Sequence, residues 1–164
     1  MAFGSPQWMY SSGDFTIDQS LKLPDIDSEL SWTPTSAGNR RTWTFSAWVK
    51  RGKIDSGSTG MYIFGGYKSG DSAELRRLEI RFREDKLYVM TSSVYIYKTT
   101  ALYRDPSAWM HVVLRVNTPE SQAVNRVRLY VNGVRIEGDF DTQNHPAQNA
   151  QLGVNQAGGL HTIS

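Results

Sequence analysis

Cysteine is absent from the 164 residues of this protein. Disulfide frameworks, cysteine-based zinc sites and thiol nucleophiles are therefore excluded. Long runs of one charge are also missing, and the formal net charge is only +2. The composition therefore gives no indication of binding to nucleic acid or to an anionic membrane surface.

The sequence also lacks long hydrophobic runs, and none approaches the ~20 residues that span a bilayer. The first residues, MAFGSP, have neither the basic start nor the apolar stretch of a secretory signal. We therefore expect no membrane insertion and no export by the usual route.

Aromatic residues are plentiful, at 12% of the chain with five Trp and eight Tyr. They fit either a β-sheet core or an adhesive surface. Residues 1–19 mix Gly, Ser, Pro and Asp with large apolar side chains such as Trp8 and Tyr10. We interpret them as an N-terminal docking arm, and residues 20–164 as one sandwich domain.

Short segments with strand character, separated by turn residues, fill the chain from residue 20 onward. This rhythm predicts an all-β sandwich rather than alternating helices and strands, and no convincing helix is found. The predicted strands are 20–23, 29–33, 41–51, 61–67, 75–83, 86–91, 93–98, 109–118, 124–132, 134–138 and 150–154.

Period-two alternation predicts which side chains face the core, because successive strand residues point to opposite sides of a sheet. The predicted core residues are Trp43, Phe45, Val112, Leu114, Leu129 and Val131. Trp48 lies on the opposite face of its strand, so we expect 42–50 to be a central strand that is covered on both sides. Asn132-Gly133 predicts a tight hairpin, and 83–86 predicts a polar corner.

Three segments in the same order resemble strands of laminin G-like domains: RTWTFSAWVKR at 41–51, WMHVV at 109–113 and RLYVNG at 128–133. The resemblance implies a concanavalin A-like jelly roll of two antiparallel sheets. A narrower resemblance, at 31–44, 103–109 and 125–133, is to virion proteins of tailed, especially marine, bacteriophages. It implies a tail-fibre or other structural role in the particle.

In that family, a segment like 159–163 leads into a further strand that completes a sheet. The sequence here ends at Ser164. We therefore expect a sandwich that lacks its last strand and has an open C-terminal edge, either because the sequence is a fragment of a longer fibre protein or because another chain fills the gap.

Catalysis needs a test, because concanavalin A-like folds include glycoside hydrolases with a Glu-x-Asp-x-x-Glu strand motif. The nearest match is EIRFRE at 79–84, where Arg81 stands in place of the middle aspartate and Glu84 falls in the predicted turn. His111, His145 and His161 lack the spacing of a metal site or a catalytic triad. We therefore predict that the protein has no catalytic residue and is not an enzyme.

Oxygen ligands for calcium occur at Asp139, Asp141 and Asn144, as Asp-x-Asp-x-x-Asn in a predicted loop. An ordinary solvated turn is the alternative interpretation, and we expect no other cofactor.

Arginines lie on or beside the predicted strands and alternate with tyrosines. Such a face could hold an acidic glycan or nucleic acid, or it could be a sheet face that charge keeps hydrated. We favour the hydrated face and predict no nucleic-acid partner. The arginines are Arg76, Arg77, Arg81, Arg83, Arg115, Arg126 and Arg128.

The resulting hypothesis is a phage virion protein, located in the virion, that serves adhesion and assembly in a tail fibre or appendage. Its expected partners are other virion proteins, copies of itself and a host-surface glycan. A capsid decoration protein and a free carbohydrate-binding module are the alternatives. The residues predicted to contact sugars or neighbouring subunits are Trp8, Tyr10, Trp32, Tyr67, Tyr95 and Tyr97.

Overall fold

The computed structural model describes residues 19–23, 28–54, 60–70, 77–91 and 94–164. Its strands are β1 Leu30–Trp32, β2 Thr42–Lys50, β3 Met61–Tyr67, β4 Arg77–Arg83, β5 Lys86–Thr91, β6 Tyr95–Thr99, β7 Trp109–Asn117, β8 Val127–Val131, β9 Val134–Arg135, β10 Phe140–Gln143 and β11 Leu160–Ile163. Within these residues the only helix is α1, Ala123–Arg126, which is too short to cross a membrane.

The strands form two antiparallel sheets, which confirms the predicted all-β sandwich. The larger sheet has seven strands in the order β1-β11-β3-β4-β5-β6-β10, and the smaller has four in the order β2-β7-β8-β9. Strands that are distant in sequence are neighbours in the larger sheet, and the last strand of the chain, β11, lies inside it between β1 and β3.

The core lies between the two sheets. Leu78, Ile80 and Phe82 of β4 meet Val112 and Leu114 of β7, and all five are at most 2% exposed. All six predicted core residues belong here. Val112, Leu114 and Leu129 are fully buried, while Trp43, Phe45 and Val131 pack against the core from partly buried positions.

Both predicted turns are present. Asn132 and Gly133 have φ angles of 52° and 78°, and Glu84 and Asp85 have φ angles of 54° and 59°. Two successive residues with positive φ match the twist of the strands that they join, which explains the tight β8–β9 and β4–β5 hairpins.

A buried ion cluster fixes the β4–β5 turn to the end of β2. The Arg51 guanidinium donates to Asp85 Oδ1 at 3.1 Å and to the carbonyl of Tyr103, and Arg104 Nε donates to Asp85 Oδ2 at 2.9 Å. Arg51 and Asp85 are at most 3% exposed, and Arg51 lies over the ring of Phe82. The two arginines, led by Arg104, lower the pKa of the Asp85 carboxyl.

The prediction that 42–50 is a central strand is wrong. Among the described residues, strand β2 pairs only with β7 and forms an edge of the smaller sheet. Trp48 is 57% exposed on the solvent side of that sheet, where it stacks on the His111 ring at 5.0 Å. A tryptophan on the second face of a strand therefore marks a surface contact here, not a second core.

Other strand predictions also need correction. Residues 20–23 form no strand, and α1 precedes β8, so that strand starts at residue 127 rather than 124. Residues 150–154 form an irregular segment that buries Leu152 and Val154 in the core. Strands β10 and β11 were not predicted, because FDTQ and LHTI have little apolar alternation.

The expected open C-terminal edge is also wrong. Strand β11 pairs with β1 on one side and with β3 on the other. The C-terminal segment is thus an internal strand of the larger sheet, whose edges are β1 and β10.

Candidate functional site

The outer face of the seven-stranded sheet collects tyrosines and basic residues. In β4, Leu78, Ile80 and Phe82 point into the core, so the residues between them point outward. The strand register then aligns further outward residues on β3, β5 and β6. We call this surface the tyrosine face, and it comprises Tyr62, Tyr67, Arg77, Glu79, Arg81, Arg83, Tyr88, Tyr95 and Lys98.

Each tyrosine of β3 has an arginine of β4 opposite it. The Arg77 guanidinium lies 5.4 Å from the centre of the Tyr67 ring, and the Arg81 guanidinium lies 5.4 Å from that of Tyr62. Arg81 also donates a hydrogen bond of 3.1 Å to the Tyr62 hydroxyl. Cation–π contacts of this kind hold the rings and guanidinium groups in fixed positions.

The β5–β6 side of the face is built in the same way. The rings of Tyr88 and Tyr95 meet edge to face at 5.7 Å, and Arg83 donates to the Tyr95 hydroxyl at 3.2 Å. Lys98 and the Tyr88 hydroxyl both donate to the Glu84 carboxylate, at 3.1 and 2.9 Å. These hydrogen bonds, that of Lys98 first, lower the pKa of Glu84.

The two glutamates of the hydrolase-like motif do not form a catalytic pair. Glu79 is 2% exposed, and its carboxylate lies 3.0 Å from Arg77 Nε and 3.3 Å from Arg81 Nη1. Glu84 lies in the β4–β5 turn and is bound by Lys98. Each carboxylate is thus held by basic side chains of the same sheet.

Access to the tyrosine face is uneven. Tyr62, Tyr67 and Tyr95 are 38%, 39% and 37% exposed, whereas Glu79 and Tyr88 are each 2% exposed. A ligand can therefore reach three tyrosine rings around a buried, ion-paired centre.

The predicted contact residues lie in different parts of the structure, and one of them is buried. Tyr67 and Tyr95 both lie on the tyrosine face, but Tyr97 is 2% exposed, stacks on Phe140 in the core and donates to the carbonyl of Val127 at 2.6 Å. Tyr97 is therefore not available as a surface contact. Burial raises its pKa to about 12.

A register shift explains this correction. In a regular strand, two residues that are two positions apart share a face. In β6 the shift places Tyr97 opposite Val89 on the core side and Tyr95 opposite Met90 on the outer side. A bulge of this kind cannot be read from the alternation of side chains.

Of the remaining predicted contacts, Trp32 lies in the edge strand β1, stacks on His161 at 5.1 Å and is 45% exposed, away from the tyrosine face. Trp8 and Tyr10 lie outside the described residues. Tyr62 and Tyr88 were not predicted, although their positions opposite the alternating arginines of 77–83 were a usable signal.

The predicted calcium ligands are engaged in other contacts. Asp141 Oδ2 lies 2.5 Å from Lys86 Nζ and 3.7 Å from Lys98 Nζ, and the Asn144 amide donates to the carbonyl of Tyr95. Asp139 is exposed. Within the described ranges there is no group of three His, Cys, Asp or Glu side chains that could hold a metal ion. The predicted loop is in fact largely strand β10, Phe140–Gln143, in which the Asp141 carboxylate is already paired with two lysines.

The predicted arginines do not form one surface. Arg77, Arg81 and Arg83 lie on the tyrosine face, whereas Arg115 and Arg128 pair on the outer side of the smaller sheet. Arg126 donates to three backbone carbonyls and so has a structural role. Arg76 lies outside the described residues.

Comparison with solved structures finds a similar fold in the mouse laminin α1 chain, domains LG4-5, with a TM-score of 0.51 at 12% sequence identity. The match covers 81% of this chain and 31% of the laminin chain. At this identity the likeness concerns the fold alone. None of the curated proteins matches the sequence.

A family profile decides the assignment. The profile Laminin_G_3, described as concanavalin A-like lectin/glucanases superfamily, matches residues 16–162, which extend from before β1 into β11. The fold is of the lectin type and is compatible with carbohydrate binding or adhesion. The protein therefore belongs to the concanavalin A-like lectin/glucanases superfamily, in its laminin G-like branch.

Proposed function

We propose that this protein is a non-enzymatic adhesion domain that contacts carbohydrate through its tyrosine face, as a structural part of a phage tail fibre or appendage. The observation that carries the proposal is the row of exposed tyrosines beside arginines on one sheet face. Tyr62, Tyr67 and Tyr95 present aromatic rings, and Arg77 and Arg83 present hydrogen-bond donors.

The chemistry of this face suits a sugar. The apolar C–H groups of a pyranose ring pack against the flat face of a tyrosine, and its hydroxyls accept hydrogen bonds from guanidinium groups. The arginines are already held by ring contacts and by Glu79, so little side-chain freedom is lost on binding.

Substitution of the three exposed tyrosines tests carbohydrate binding. The variant Y62A/Y67A/Y95A should bind a glycan recognised by the parent protein at least about tenfold more weakly, since each ring contributes roughly 1 kcal/mol of contact. The matched control is Y130A, because Tyr130 is half-buried on the outer side of the smaller sheet. Equal losses in the two variants, measured by calorimetry, would contradict binding at the tyrosine face.

The absence of catalysis is tested separately. Labelled oligosaccharides incubated with the parent protein should stay intact, because a retaining hydrolase needs two carboxyl groups free to act on the sugar, whereas Glu79 and Glu84 are each bound by basic side chains. Hydrolysis that disappears in the variant E79Q would overturn this part of the proposal.

The virion location is supported by the sequence resemblances at 31–44, 103–109 and 125–133 to phage virion proteins. Antibody labelling of particles in electron micrographs, with a copy number from mass spectrometry, tests it. Label on the tail supports the proposal. Label spread over the shell at the copy number of capsomers would indicate a decoration protein. Absence of label from the particles would indicate a free carbohydrate-binding module.

A further inference from the structure

A pocket of about 410 Å³ lies where the loop before β2 meets the segment before β11. Its lining includes Gly38, Arg40, Arg41, Lys68, Gln151 and Gln156. This volume is in the range of small-ligand sites. None of the sequence patterns that predict contact residues points to this part of the chain.

Direct hydrogen bonds tie the two loops together. The Gly38 N–H donates to the carbonyl of Asn155 at 2.9 Å, the Asn155 side-chain amide donates to the carbonyl of Asn39 at 2.7 Å, and the Gly158 N–H donates to the carbonyl of Pro34 at 2.8 Å. The walls of the pocket are therefore held in place without a ligand, which reduces the entropy lost on binding.

The basic residues of the pocket are also oriented. Arg40 Nε donates to the carbonyl of Leu152 at 3.0 Å, and Arg40 Nη1 donates to Gln151 Oε1 at 3.3 Å. The Asn39 side-chain oxygen accepts from the backbone N–H groups of Arg41 and Thr42, each at 2.9 Å, and so fixes the start of β2.

The charge of the pocket has one sign. Arg40, Arg41 and Lys68 line it, and no acidic residue of the described chain does. Arg41 and Lys68 also have no ion-pair partner in the described ranges. A concave surface with several cations and no carboxylate concentrates a positive potential, which attracts anions.

The pocket adjoins one end of the tyrosine face. Lys68, which lines the pocket, directly follows Tyr67 in the chain. Gly159 lies close to both Gln156 and Tyr67: a Cβ on Gly159 would be 3.2 Å from the Gln156 side chain and 3.6 Å from the Tyr67 carbonyl oxygen. A sugar chain lying on the ring of Tyr67 could thus place a substituent in the pocket.

We propose that this pocket is an anion subsite, and that the glycan bound by the protein is acidic, with a carboxylate or sulfate held by Arg40, Arg41 and Lys68. The sugar part of this inference rests on the proposed function of the tyrosine face. The anion part rests on the pocket alone. Carboxylate and sulfate are both suitable, because guanidinium and ammonium groups donate charged hydrogen bonds to either.

The test compares acidic and neutral oligosaccharides of equal length on the full chain. The variant R41Q/K68Q removes two pocket charges and leaves Arg40, which has a structural contact, in place. We expect it to bind a uronate or sulfated oligosaccharide at least about tenfold more weakly and to bind the neutral one unchanged. The matched control is K22Q/K50Q, which removes two exposed lysines elsewhere.

The outcomes separate the two proposals. Loss of acidic binding in the pocket variant only supports the subsite, and the ligand that shows the larger loss identifies the anion. If R41Q/K68Q binds the acidic oligosaccharide as tightly as the parent protein, or if the control loses as much affinity, the anion subsite is overturned. The proposed carbohydrate binding at the tyrosine face is not affected by that result. If no glycan binds, sulfate titrated against the labelled protein decides: shifts of the Gly38 and Ala157 amide signals that vanish in R41Q/K68Q support an anion site, and no shifts overturn it.

Discussion

At the scale of single residues, His161 has the most restricted environment of the three histidines. It is 1% exposed, its Nδ1 donates to the carbonyl of Gly159 at 3.1 Å, and its Nε2 accepts from the Asn155 N–H at 2.8 Å. Both ring nitrogens are thus used by a neutral imidazole. Protonation would place a second N–H against the Asn155 donor, in the segment that lines the proposed anion subsite.

The pH dependence of stability tests this arrangement. Burial lowers the pKa of His161 below its ordinary 6.5. Between the two pKa values, His161 is protonated in the unfolded chain and neutral in the folded chain. Stability should therefore decrease as the pH falls below about 6.5, until the folded-state pKa is reached. In H161Q, whose amide keeps a donor and an acceptor, urea unfolding should show a smaller decrease between pH 7 and pH 5.

The residual decrease in H161Q is expected from His145, whose pKa is also lowered, by burial first and by Arg126 second. An H161Q variant with the same pH dependence as the parent protein would contradict a titrating role for His161.

At the scale of elements, two glycines allow the irregular segment 152–154 to cross the larger sheet. A Cβ on Gly153 would lie 2.4 Å from the Arg77 carbonyl carbon and 2.7 Å from the Leu78 nitrogen. A Cβ on Gly66 would lie 2.3 Å from the Gly153 oxygen. This contact of backbone on backbone lets Leu152 and Val154 reach the core.

We therefore expect G153A to destabilise the protein strongly, by about 3 kcal/mol, because the central strand β4 cannot move aside. The control G52A should change stability by less than about 1 kcal/mol, since a Cβ there meets no atom within 4 Å. Chemical denaturation measures both. Similar midpoints for the two variants would show that the segment shifts easily.

The ion cluster at the end of β2 gives a second prediction for an element. R51M removes one of the two cations that balance the buried Asp85 carboxylate. We expect the melting temperature to fall by about 10 °C, because loss of one partner leaves a poorly compensated buried charge. The neighbouring exposed lysine supplies the control, K50M, whose melting temperature should stay near that of the parent protein.

At the scale of the whole molecule, assembly stays a prediction from the sequence. Residues 1–19 are predicted to be a docking arm, and 1–18 lie outside the described residues. Deletion of residues 1–15 should leave the melting temperature unchanged and abolish incorporation into particles. A much lower melting temperature of the isolated protein would instead make the arm part of its own fold.

Sheet edges set where a partner strand could add. The described edges are β1 and β10 in the larger sheet and β2 and β9 in the smaller. Of these, β2 has nine residues and the others have at most four. Short edges limit association, so β2, which carries the exposed Trp48, is the edge at which strand addition is most favourable.

Much of the fold was determined by the sequence alone, because its signals are local. Alternation in β4, β7 and β8 fixed which side chains enter the core. Asn132-Gly133 fixed a hairpin, because few residues adopt two successive positive φ angles without strain. The strand motifs at 41–51, 109–113 and 128–133 indicated the superfamily, which the profile match confirms.

The tertiary structure decided what depends on strand order and register. Alternation cannot show that β2 is an edge, that β11 inserts between β1 and β3, or that a bulge turns Tyr97 inward while Tyr95 stays outside. The tyrosine face depends on the register of the consecutive strands β3 to β6, and the pocket at Arg40, Arg41 and Lys68 joins residues from distant parts of the chain. Such contacts arise from the packing of one sheet on another and from non-local pairing, and no short stretch of sequence contains that information.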